Sequence, residues 1–234
     1  MQIDLATGLV WFLSFLFSTT VHEAMHALVA WKLGDPTAYN GGQVSLSPIP
    51  HVKREPIGML VLPLLTAMTQ GWAIGWASAP YDPYWANRYP NRAALMAAAG
   101  PVGNFMIAAA AFVALRVGLG LDAFIAPDRV TFETIVAGAS GEGNFLTMLL
   151  SVLLIQNVFL GLFNLLPLPP LDGAAVFSAL LPEPLASTVR QFATNPMAST
   201  LGLLVAWQLF PAITGPIFTF VLRLVHPDAG YGPG

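Results

Sequence analysis

The chain has 234 residues, 56% of them hydrophobic and only 9% charged, against about 25% charged in an ordinary globular domain. A net charge of -3 with no lysine- or arginine-rich run excludes a nucleic-acid-binding surface. There is no cysteine, which removes disulfides and thiolate metal ligands together, so any zinc must be held by histidine and carboxylate.

With a mean hydropathy of +0.67, the chain reads as an all-α polytopic membrane protein. The expected architecture is four to five transmembrane helices with a small β-hairpin element and a segment able to re-enter the membrane. Apolar runs of spanning length cover 5–33, 57–79, 93–119, 145–168 and 197–222, each long enough for a hydrocarbon core of about 30 Å. The N-terminal run lacks a basic leader and is expected to stay in the mature protein. Residues 1–226 read as one membrane domain and 227–234 as a disordered tail.

The first run carries His22-Glu23-Ala24-Met25-His26. Histidines four apart share one helical face and can bind Zn²⁺ through ring nitrogens, while the glutamate between them can take a proton from water. Three ionisable groups at bilayer depth are costly, and they persist where they face a protein interior, a cavity or a metal. Next, Gly41-Gly42-Gln43-Val44-Ser45-Leu46-Ser47-Pro48 alternates polar and apolar residues after a glycine pair, which predicts the hairpin or edge strand. Residues 79–91 and 120–144 read as surface loops, and His51 and His226, outside every motif, as surface residues.

A catalytic zinc needs a third protein ligand. Asp172, in Asn164-Leu165-Leu166-Pro167-Leu168-Pro169-Pro170-Leu171-Asp172-Gly173, reads either as that ligand, turned back toward the bundle by the prolines, or as the cap of a short helix that follows.

These residues resemble the site-2 proteases, zinc metalloproteases that cut substrates within the membrane. The likeness rests on HExxH at 22–26, on Ala-Gly-Pro-x-x-Asn at Ala99, Gly100, Pro101 and Asn104, and on Asn-x-x-Pro-x-x-x-x-Asp-Gly at Asn164, Pro167, Asp172 and Gly173. The order and spacing are similar to those of the compact branch without a PDZ domain. The resemblance implies that His22, His26 and Asp172 hold Zn²⁺, that Glu23 is the catalytic base, and that Asn164 lies near a membrane-protein substrate. Asn104 is assigned either to the substrate or to helix packing. The implied activity is regulated intramembrane proteolysis in a bacterial plasma membrane, with the active site toward the cytoplasm. A catalytically silent scaffold or chaperone that binds transmembrane helices is the alternative.

If Asp172 meets the two histidines, the chain must cross the membrane an even number of times between them. The runs 93–119 and 145–168 already supply two crossings. Segment 57–79 is therefore expected to enter and return on one side, helped by Pro63, Thr69-Gln70-Gly71 and Gly75.

Overall fold

A computed structural model of the chain describes residues 4–229 and 231. Helix α1 (Leu5–Lys32) starts where the Asp4 side chain accepts from Thr7 N–H, and it ends before Gly34, whose φ of 105° suits only glycine. After α2 (Thr37–Asn40) and α3 (Ile49–Arg54), a π-helical turn (Ile57–Val61) runs directly into α4 (Leu62–Gln70). α5 (Pro83–Arg88) follows, inside the expected 79–91 loop, and then the long α6 (Pro90–Gly120).

Beyond a two-stranded antiparallel sheet, β1 (Phe124–Ile125) with β2 (Ala137–Gly138), a capping box between Asn144 and Thr147 opens α7 (Phe145–Asn164). The short α8 (Asp172–Ala179) and the amphipathic α9 (Leu185–Ala193) lead to α10 (Pro196–Val225). Four of these helices, α1, α6, α7 and α10, are long and apolar enough to cross a membrane.

Segment 57–79 does not cross. Helix α4 stops at Gly71, which takes a left-handed φ of 80°, and the chain returns in extended form until Trp76 N–H donates to Gly58 O at 3.1 Å. The π turn makes that bond available. Leu62 N–H reaches back to Ile57 O and leaves the carbonyl of Gly58 unused within its own helix. Gly75 and Gly58 pack backbone against backbone, and Ala67 seats the helix against Val10, Trp11 and Phe12 of α1.

The β element lies elsewhere than expected. Residues 41–48 form turns and bends, because their backbone groups are taken locally. Gly42 N–H returns to Tyr39 O and Gln43 N–H to Ala38 O, Ser47 N–H donates to Ser45 Oγ, and Ser45 O accepts from His51 Nε2. Proline at 48 and 50 then opens α3.

The 120–144 connection is only partly a surface loop. Ile135, Val136 and Ala137 are buried, Ile135 and Val136 in the core formed by α6, α7 and α10, and Glu133 accepts from Trp11 Nε1 at 3.1 Å. His226 is buried against Ile135 O, and His51 is buried with Nε2 on Ser45 O, so neither is a surface residue. In each case a carbonyl of a folded-over loop supplies the partner that makes burial of the imidazole tolerable. In the tail, 227–229 form a turn, and Tyr231 meets His226 edge to face and donates to Pro127 O; 230 and 232–234 lie outside the described residues.

Candidate metal centre

The geometry of α1 brings His22, Glu23 and His26 to its buried side, each less than a tenth exposed. Their ligand atoms lie within 4.8 Å of one another. Across from them α6 presents a gap at Gly100, where a Cβ would overlap Nε2 of both histidines, so absence of a side chain is what admits the two rings. The prolines between Asn164 and Asp172 stop α7 and turn the chain back, and Gly173 lets α8 start against the Leu165 and Leu166 carbonyls.

Asp172 is thereby delivered to the histidines. Its Oδ2 lies 3.2 Å from His22 Nε2 and its Oδ1 3.4 Å from His26 Nε2. It is the first residue of α8 and bonds no N–H of that helix, so the capping alternative does not describe it. At 20% side-chain exposure, against 9% and 8% for the histidines, Asp172 marks the side from which the centre is reached.

The outer partners decide which ring nitrogens face inward. His26 Nδ1 bonds Met96 O at 2.8 Å, and a carbonyl can only accept, so Nδ1 carries the hydrogen and, in the neutral ring that a metal requires, Nε2 is the lone pair. His22 Nδ1 bonds Asn104 Oδ1 at 2.7 Å with the same result. The two Nε2 atoms then stand 2.9 Å apart beside a carboxylate, while Glu23 Oε2 and Asp172 Oδ2 are buried without hydrogen-bond partners. Electron-rich atoms so placed repel one another unless a cation lies among them. Two imidazoles and a carboxylate also form a donor set suited to zinc.

Asn164 and Asn104 have different surroundings. Asn164 is half-buried at the end of α7, and its Nδ2 donates to Leu160 O. Asn104 is completely buried, and its Oδ1 accepts from His22 Nδ1. Two buried groups were not anticipated, Ser18 on α1 and Asn157 on α7, both fully enclosed and bonded to each other and to Asn104. Their signal was present in the sequence, since an amide inside a run as apolar as 145–168 calls for a partner.

The family model described as Peptidase family M50 matches residues 10–209. "Putative zinc metalloprotease YwhC" of Bacillus subtilis strain 168 is 30% identical over 90% of this chain and 82% of its own length. "Putative zinc metalloprotease Rip2" of Mycolicibacterium smegmatis is 28% identical over 88% of this chain and 69% of its own. The protein of that name from Mycobacterium tuberculosis is 30% identical over 89% and 70%. No solved structure matches at a significant level.

Proposed function

The chain belongs to peptidase family M50, the site-2 protease family, and is a membrane-embedded zinc metallopeptidase; from that premise we propose that it cleaves peptide bonds within or near the transmembrane segments of membrane-protein substrates, in regulated intramembrane proteolysis. The observation that supports this is the depth of the centre. His26 precedes the helix end at Lys32 by six residues, or about 9 Å at 1.5 Å per residue, and the donors sit inside a bundle of apolar helices. A substrate segment reaching them is within the membrane when it is cut.

His22, His26 and Asp172 hold the zinc in this reading. Bound zinc polarises the scissile carbonyl and lowers the pKa of water toward neutrality. Glu23 takes the proton of the attacking water on its unpartnered Oε2 and returns it to the leaving amide nitrogen. Asn104 fixes His22, and Asn164, at the exposed end of α7, contacts the opened substrate backbone. A helical substrate hides its peptide bonds in its own hydrogen bonds and must unwind first.

Residues 1–226 act as one membrane domain in a bacterial plasma membrane, with the active site toward the cytoplasm and both ends of the described chain outside. Lys32, Lys53, Arg54, Arg88, Arg92 and Arg190 then share the inner side, leaving Arg116, Arg129 and Arg223 outside, as the positive-inside rule requires. The stacked Trp31 and Tyr39, and Arg92 over Tyr89, form an interfacial belt on that inner side.

The test is incubation of the detergent-purified protein with single-span membrane substrates, with and without a zinc chelator, and mass mapping of the fragments. Chelator-sensitive cuts inside the spanning segment are expected. Cleavage of soluble peptides alone, with spanning substrates untouched, would refute the reading.

A further inference from the structure

We infer that Asn157, which touches neither the metal donors nor the proposed path of the substrate, is a positioning residue for zinc: through Asn104 it dictates which nitrogen His22 offers. The inference rests on the ligand set proposed above.

The argument starts at a group that cannot change its role. Leu153 O is a backbone carbonyl, and it accepts from Asn157 Nδ2 at 2.9 Å. Because the amide nitrogen must point there, and also toward Ser18 Oγ at 2.8 Å, the Asn157 oxygen is turned the other way. Asn157 Oδ1 in turn accepts from Asn104 Nδ2 at 2.9 Å, so the Asn104 oxygen must face His22. Ser18 O supports the same orientation with a longer bond of 3.4 Å from Asn104 Nδ2.

Asn104 Oδ1 can only accept, which puts the hydrogen of His22 on Nδ1 and leaves the Nε2 lone pair for a cation. Were Asn104 reversed, its NH₂ would face Nδ1, the ring hydrogen would move to Nε2, and His22 could not ligate. His26 needs no such relay, since the Met96 carbonyl fixes it directly. Ser18, Asn104 and Asn157 are fully buried, so water cannot substitute for a lost link between them.

The experiment measures zinc affinity of the full-length protein by competition with a chromophoric chelator, for the parent, Asn157→Leu, Asn104→Leu, the double variant and Asn157→Ser. We expect Asn157→Leu to weaken zinc binding about 10- to 100-fold, the range for partners behind a metal ligand. The double variant should be no weaker than Asn104→Leu alone, since one residue acts through the other. Asn157→Ser keeps a hydroxyl that can donate to Leu153 O but is too short to accept from Asn104 as Oδ1 does, so it should weaken zinc binding too; it carries the test if the leucine variant does not fold. The Co²⁺-loaded variants should also show shifted visible d–d bands, which loss of helix packing alone would not produce.

Zinc affinity of either Asn157 variant within about twofold of the parent, with only thermal stability lowered, overturns the inference and leaves the metallopeptidase reading intact. Additive losses in the double variant overturn it too. A parent that binds no zinc overturns the ligand set itself.

Discussion

Gly100 of α6 lies so close to His26 of α1 that a methyl group placed on the glycine would stand 2.4 Å from the ring nitrogen facing Asp172. The metal donors thus depend on a residue with no chemistry of its own. Gly100→Ala should separate the helices or rotate both imidazoles, and cut zinc affinity at least about tenfold while the helical content is kept. Metal analysis after gel filtration, with circular dichroism on the same sample, checks this.

Glu23 and the ligands should part company on mutation. Glu23→Gln keeps the shape of the side chain but cannot accept a proton, so zinc content should stay at one per chain while hydrolysis falls by about 10² to 10⁴. Asp172→Ala should lose the metal as well as the activity. Full hydrolysis by the glutamine variant would sink the role given to Glu23.

The re-entrant hairpin is held at a contact between two glycines. A Cβ on Gly75 would meet the Gly58 carbonyl, Pro63 and Phe15, none of which has open space to move into. Gly75→Val should destabilise the protein by about 1–3 kcal/mol, the usual cost of overpacking. Thermal unfolding in detergent measures it, and an unchanged midpoint would show that the hairpin is not packed as described.

Orientation is open to direct labelling. With the active site toward the cytoplasm, a cysteine replacing exposed Asn40 should resist a membrane-impermeant maleimide in intact cells, and one replacing exposed Glu142 should react. The reverse pattern would invert the proposed topology. Because the chain has no native cysteine, neither result needs a background correction.

Much of this arrangement can be read from the residues because their placement is costly. Charged and imidazole groups in the first apolar run have few tolerable surroundings, so the His22, Glu23 and His26 cluster was legible, and the need for a third ligand led to Asp172. The return of 57–79 followed from that pairing and not from hydropathy, which favours a plain span. What escaped was decided by tertiary partners. The alternation at 41–48 suggests a strand, but the carbonyls of α2, the Ser45 hydroxyl and His51 take up its backbone groups; nothing local to His51 or His226 announces the carbonyl that each one finds. Asn157 lies outside the family motifs that single out Asn104 and Asn164, although all three amides pose the same solvation problem.

The π turn at Ile57–Val61 means that this helix holds one residue more than a regular α-helix would fit into the same contacts. Its length is therefore a constraint separate from its composition. Removing a single residue there would bring Leu62 N–H onto Ile57 O at the ordinary helical spacing and turn everything beyond it by about 100°. Ala67 would then leave its seat on Val10, Trp11 and Phe12, and Trp76 would lose its acceptor. A one-residue deletion in 57–61 should do more harm than most substitutions in the same stretch, since it changes the phase of the whole hairpin while leaving each remaining side chain intact.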